Sequence, residues 1–146
     1  MTAEPRGRTA LVTGGTSGIG RAVVEHLAEV GMQVVFCGRD AERGASVAAA
    51  TGASFIQVDA ADRADCDRSV AQATSLLGGR LDLFVGCAAM IFAAPLADTP
   101  ERIFREVVEV NLTATFRYSR ACFEVMRAQR SGVIVHVVSD AALRGI

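Results

Sequence analysis

The sequence predicts an α/β fold, a doubly wound parallel sheet of about five strands, on three observations. Short apolar runs of strand length alternate with stretches of helical spacing, glycines stand where the helices should end, and a glycine-rich turn joins the first run to the first helix. Length and composition agree with one core and one domain over residues 1–146, with 51% hydrophobic and 21% charged residues, unlike a disordered chain.

The strands are expected at residues 9–12 (TALV), 33–37 (QVVFC), 54–58 (SFIQV), 81–85 (LDLFV) and 133–138 (VIVHVV). Between them, helical spacing links Ile19, Val23, Leu27 and Val30, runs through residues 41–50, links Cys66, Val70, Ala73 and Leu77, and fills a long segment at 100–129. Alternating units of this length require parallel strands with crossover helices on both faces, because a parallel pair cannot be joined by a tight turn. Gly31, Gly52, Gly78, Gly79 and Gly132 stand where left-handed C-terminal caps are needed. VIVHVV is apolar at nearly every position, the pattern of a strand buried on both faces in a sheet interior. Only residues 139–146 follow it, too few for another strand through a helical crossover. In the order 3-2-1-4-5 it would be an edge exposing unpaired backbone groups. Ile103, Val107, Val110 and Ala114 are expected to pack against an absent helix or a partner, so the chain should self-associate, as a homo-oligomer or with a complementing chain.

Fifteen basic residues against sixteen acidic ones give a net charge of -1, which removes the cationic excess that draws proteins to nucleic acids or anionic membranes. No apolar run approaches the roughly 18–20 residues that cross a bilayer, and residues 1–8 carry no apolar stretch of a secretory leader. The cysteines Cys37, Cys66, Cys87 and Cys122 are scattered, with no C-x-x-C pair and no neighbouring histidine for zinc. Reduced thiols, a cytoplasmic location and no metal site are the expectation.

The first strand runs into Gly14, Gly15, Thr16, Ser17, Gly18, Ile19 and Gly20, and then into a helix. Gly14, Gly18 and Gly20 allow positive φ, close approach of backbone N–H groups to a pyrophosphate, and tight packing of helix on strand. The helix N-terminus then faces the anion. The spacing is G-x-x-x-G-x-G, with no G-K-[ST] of a nucleoside triphosphatase. A tight turn that binds nothing is the plainer alternative.

Residues 13–20 (TGGTSGIG) resemble the T-G-x-x-x-G-x-G signature of the short-chain dehydrogenase/reductase family. Asp59, followed by Ala60, matches the family's aspartate that hydrogen-bonds the adenine ring. Asn111 matches its active-site helix asparagine, and residues 132–139 (GVIVHVVS) resemble the strand that ends in the catalytic serine, Ser139. The resemblance implies a Rossmann-like fold lacking the family's C-terminal strands. It implies cofactor contacts from Gly14, Thr16, Ser17, Gly18, Ile19 and Gly20, and hydride transfer between a nicotinamide and a carbonyl or alcohol substrate.

The sequence departs from the family twice. Gly86, Cys87, Ala88 and Ala89 stand where the family has N-N-A-G, so the asparagines that tie the central strand are gone, although a cofactor could lie against Cys87, Ala88 and Ala89. The family's Tyr-x-x-x-Lys, about a dozen residues beyond the serine, has no counterpart. Tyr118 lies upstream with Cys122 at +4, and the sequence contains no lysine. In the mechanism the resemblance implies, that tyrosine moves the proton, the lysine lowers its pKa, the serine holds the substrate oxygen and the asparagine places a relay water. Only Ser139 and Asn111 remain. A positioned general acid contributes roughly 10²–10⁴-fold, so negligible activity is expected of this chain alone. The plainer readings are a polar position on an amphipathic helix for Asn111 and a strand end for Ser139. His136 is read as a satisfied core histidine and Cys87 as an inert thiol.

Gly38 occupies the place of the acidic residue that binds the ribose 2′-OH of NAD, and the adjacent Arg39 could pair with a 2′-phosphate. NADP is favoured on this ground, with NAD open, because Asp40 could serve the ribose or simply cap the next helix. A non-catalytic dinucleotide-binding or interaction module is the competing reading.

Overall fold

The computed structural model describes residues 7–140; most of the stretch 1–8 read for a leader, residues 1–6, and the chain end at 141–146 lie outside them. Five parallel strands, β1 (Thr9–Thr13), β2 (Gln33–Gly38), β3 (Ser54–Gln57), β4 (Leu83–Gly86) and β5 (Val133–His136), form one sheet in the order β3-β2-β1-β4-β5. The register pairs Leu11 with Val35 on one side of β1 and with Phe84 on the other. The crossovers are α1 (Gly18–Glu29), α2 (Ala41–Thr51), α3 (Arg63–Leu76), and a long segment made of α4 (Glu101–Val108), a π-helical turn (Glu109–Thr113) and α5 (Ala114–Gln129).

Side chains alternate across the sheet, and each set meets its own pair of helices. Ala10, Val12, Val34, Phe36 and Val85 pack with Val24 of α1 and Val47 of α2. Leu11, Val35, Cys37, Ile56 and Phe84 pack with Cys66, Val70 and Ala73 of α3 and with Ala114, Tyr118, Cys122 and Met126 of α5. β1, covered on both faces, is buried at every residue. A double winding follows directly from these two apolar sets.

The base of the sheet is tied by a buried polar box. Asp82 accepts the Thr9 backbone N–H at 3.1 Å, and its own N–H returns to the Thr9 hydroxyl at 3.1 Å. Arg80 pairs with the same carboxylate at 2.6 Å. Desolvation works to raise the Asp82 carboxyl, but the Arg80 cation and the Thr9 donors together hold it below its ordinary value.

The strand order is the expected 3-2-1-4-5, and β5 is its edge among the described residues, with Val133 and Val135, and Val137 and Val138 after it, exposed despite an apolar run that by itself suits a sheet interior. Two expectations are corrected. Of Ile103, Val107, Val110 and Ala114, Val107 is half-buried and the other three do not face outward: they are buried in this chain's own core, while Phe104, Leu112, Phe116 and Phe123 are more than half exposed. The long segment is apolar on two stripes, and periodicity alone cannot say which one the sheet takes. Finally, α5 ends on Arg130 in the left-handed region at φ 55°, and Gly132 is not the cap. A side chain at Gly132 would strike Met126 at 2.3 Å, which accounts for glycine there by close packing. Gly52 does cap α2, in the left-handed region at φ 73°.

Candidate cofactor and active site

The turn after β1 is built around contacts only glycine allows. A Cβ on Gly20 would lie 2.2 Å from the Gly14 carbonyl oxygen, and one on Gly14 would lie 2.8 Å from the Ala88 nitrogen. The first turn of α1 is thereby pressed onto the end of β1, and β1 onto the segment after β4. Gly18 takes φ 53° with open space over its α-carbon. Ser17 precedes α1 in extended backbone, and its side chain makes no capping hydrogen bond. The N–H groups of the first helical turn therefore lack a side-chain acceptor from their own cap, as an anion site requires. Ser17 and Ile19 are exposed beside it.

The segment after β4 is held by groups other than the missing asparagines. The Thr13 hydroxyl accepts the N–H groups of Cys87 and Ala88 at 3.2 and 3.3 Å. Asn111, in the π-turn, accepts the Met90 N–H through Oδ1 and donates to the Met90 carbonyl through Nδ2, both at 2.8 Å. Both ends of its amide thus engage the backbone of one residue, tying the loop after β4 to the long helix. π-turns of this kind cluster at functional sites because the extra residue re-aims a side chain.

His136 fills the space that Gly86 leaves: a Cβ on Gly86 would meet its Nδ1 at 2.5 Å. Its Nε2 lies 2.9 Å from Ser119 Oγ, and Ser119 donates to the Thr115 carbonyl at 2.7 Å. With the single hydroxyl proton directed at Thr115, the Nε2–H tautomer of His136 completes the pair; with the other tautomer the hydroxyl donates to Nε2 instead. Its ring also sits edge-on to Phe84, with centroids 5.7 Å apart. Together with Thr13, Gly86, Ala88, Thr115 and Tyr118 it lines a cavity of ≈ 10 Å³, room for about one water. His136 is hydrogen-bonded, as a satisfied core histidine would be, but it is half-buried rather than in the core. Ser139, exposed, follows β5 on the same C-terminal side of the sheet as Gly86 and the glycine turn.

Residues 8–146 match the family model described as short chain dehydrogenase. The chain belongs to that family. It is 32% identical over 143 residues to an uncharacterized oxidoreductase of Thermotoga maritima, covering 94% of this chain and 56% of that protein. It is 33% identical over 142 residues to a 2,5-dichloro-2,5-cyclohexadiene-1,4-diol dehydrogenase of Sphingobium indicum, covering 96% of this chain and 56% of that enzyme. A solved structure of a short chain dehydrogenase/reductase family protein superposes with a TM-score of 0.91 at 36% identity, over 99% of this chain and 60% of that one. The chain spans just over half the length of these curated relatives.

At the far end of this short chain dehydrogenase sheet, Arg39, Gln57, Val58, Asp59, Asp65 and Arg68 line a cavity of ≈ 380 Å³, within the size range of ligand sites. Asp59 accepts the Ala61 N–H at 3.0 Å, and its own N–H is held by Asp65 at 3.0 Å. The Ala60 carbonyl takes the Cys66 thiol at 3.4 Å, so that turn faces α3. Gln57 donates to the Arg39 carbonyl at 3.2 Å, fixing the backbone after β2. A Cβ on Gly38 would meet the Thr16 side chain at 2.7 Å, so position 38 has no room for an acidic side chain while Thr16 stays.

The remaining reactive groups are disarmed by burial. Tyr118 is buried against Phe84, its hydroxyl 3.1 Å from Ser69 Oγ and 3.7 Å from Cys37 Sγ, and desolvation pushes its pKa above the ordinary phenol value. Burial pushes Cys37 and Cys122 up to about 12 and raises Cys66 and Cys87 as well. All four thiols are free and remain protonated near neutrality.

Sequence reasoning missed Thr13, Met90, Ser119, Asp65 and Arg68. Thr13 alone carried a signal, as the residue before the glycine turn. Met90 and Ser119 act through partners 21 and 17 residues away, whereas Asp65 and Arg68 act through near neighbours, six and three residues away, that a solvated helix face would show equally. Among the described residues no helix is long and apolar enough to cross a membrane.

Proposed function

We propose that this chain is the dinucleotide-binding portion of an NADP-preferring oxidoreductase acting on a small carbonyl or alcohol substrate in the cytoplasm. What carries the cofactor preference is the state of Asp40. Its carboxylate caps α2 through the Arg43 N–H at 3.0 Å and pairs with the Arg43 guanidinium at 3.2 Å. The side chain that could have served a ribose 2′-OH is engaged elsewhere, position 38 is closed to an acid, and no carboxylate among the described residues lies within ion-pair distance of Arg39. A charged hydrogen bond from Arg39 to a 2′-phosphate is worth roughly 1.5–3 kcal/mol, or about ten- to a hundredfold.

The turn of Gly14, Thr16, Ser17, Gly18, Ile19 and Gly20 would hold the pyrophosphate, with Asp59 and Ala60 at the adenine and Cys87, Ala88 and Ala89 against the rest of the cofactor. The bound nicotinamide supplies the hydride chemistry. Ser139 would polarise the substrate oxygen, while Asn111 would act by fixing the Met90 peptide in the loop beside it. Proton transfer has no donor among these residues: Tyr118 is buried in the core and the sequence holds no lysine. The 146 residues alone would therefore bind cofactor without turnover. A second reading, a binding module completed by another polypeptide, draws on the same buried tyrosine and on the exposed faces of α5 and β5. A second copy of the chain is the simplest cover for those faces.

Fluorescence titration with NADPH and NADH tests the cofactor assignment. The wild type should favour NADPH, and Arg39→Asp should reduce the NADPH/NADH affinity ratio at least about tenfold. An unchanged ratio refutes the role of Arg39. Turnover of a ketone panel by the 146-residue chain would refute the inactivity.

A further inference from the structure

The cavity beside Arg39 contains a second guanidinium that the family motifs do not mark. Four charged side chains line it: Arg39 after β2, Asp59 after β3, and Asp65 and Arg68 on the first turns of α3. Asp65 acts as a bracket. One carboxylate oxygen accepts the Asp59 N–H at 3.0 Å, and the other holds Arg68 Nη2 at 2.7 Å. The Asp65 side chain is only 25% exposed and that of Arg68 59%, so the carboxylate is anchored in the wall and the guanidinium stands at the exposed rim. A guanidinium has five N–H donors in a planar fork, and Asp65 engages one of them.

We infer that Arg68, oriented by Asp65, is a second specificity-determining cation that joins Arg39 in selecting ligands bearing a 2′-phosphate. The inference rests on the dinucleotide reading above. Its ground is the charge balance of the cavity. Two arginines offset two aspartates, and Asp65 lies in direct contact with the cation that compensates it. Removing Arg68 leaves two carboxylates against Arg39 alone, facing a phosphate that carries roughly −1.5 to −2 charges. Arg68 thus acts twice, as a donor to the phosphate and as the screen over Asp65. Asp65 is a positioning residue. The neutral adenine and ribose hydroxyls gain little from either effect, so Arg68 should discriminate between ligands without contributing equally to all.

The test uses two probes that differ only in that phosphate, adenosine 2′,5′-bisphosphate and adenosine 5′-monophosphate, titrated calorimetrically into wild type, Arg68→Gln and Arg68→Lys. Arg68 is exposed, so both variants should keep the wild-type melting temperature. Arg68→Gln should weaken the bisphosphate about tenfold and leave the monophosphate within about twofold, and Arg68→Lys, which keeps the charge, should recover part of the loss. Equal weakening of both probes, or of neither, overturns the inference. If the wild type discriminates and Arg68→Gln discriminates equally well, Arg39 acts alone and the dinucleotide reading stands. If the wild type itself binds neither probe, or binds both alike, the NADP reading fails and Arg68 with it.

Discussion

Replacing Gly20 by alanine sets two effects of opposite sign against each other. Gly20 lies in the first turn of α1, where alanine gains up to about 1 kcal/mol of helix propensity over glycine. Against that, the new methyl carbon would sit 2.2 Å from the Gly14 oxygen and 2.7 Å from its carbon, with Cys87 Cβ at 3.2 Å behind. The contact must open by about 1 Å, and overpacking of that order costs about 1–3 kcal/mol. The upper end applies, because the obstacle is backbone and Gly14 is itself backed by Ala88. The net loss should be about 2 kcal/mol. With a urea m-value of about 2 kcal/mol/M, the unfolding midpoint should fall by about 1 M. Gly18→Ala is the control, because its side chain meets open space and only the positive φ is strained, at about 1 kcal/mol. It should shift the midpoint by about half as much. A Gly20→Ala midpoint equal to or above wild type would mean that propensity wins and that the turn yields freely, which would refute the argument that this glycine is fixed by close packing.

Asp82→Asn should cost about 1–3 kcal/mol near neutral pH, through the charge-assisted bonds to Thr9 and Arg80. The folded carboxyl lies below its ordinary 3.8, so its contribution is present above that value and is lost as the pH falls through the lower folded value. Urea unfolding at several pH values should show the gap to wild type closing as the pH falls below the ordinary carboxyl value, and a constant gap would sink the assignment. Phe116→Glu combined with Phe123→Glu should lower self-association in sedimentation velocity and leave the melting temperature nearly unchanged, since both rings are more than half exposed. A wild type that stays monomeric at high concentration would remove the case for a covered face.

Much of the site was legible because its markers are local. The strand, glycine turn and helix of residues 9–29 follow from short-range preferences, and the structure puts each element there. The Asp40 cap was one of two open readings, and the structure places its carboxylate on the Arg43 N–H. The groups tying loops together were not legible: Asn111 to Met90 spans 21 residues, Thr13 to Cys87 spans 74, and neither leaves a periodic trace.

The sequence by itself determined the double winding and the strand sites, because alternating apolar runs admit few packed arrangements of parallel units. It also determined the absence of lysine, which no arrangement of the chain can change. Tertiary structure decided which apolar stripe of the long helix turns inward and that Arg68 and Arg39 share one cavity. The physical reason is the same in each case. Periodicity specifies that a face must be buried, whereas the partner that buries it, or the charge that meets it, comes from an element far away along the chain.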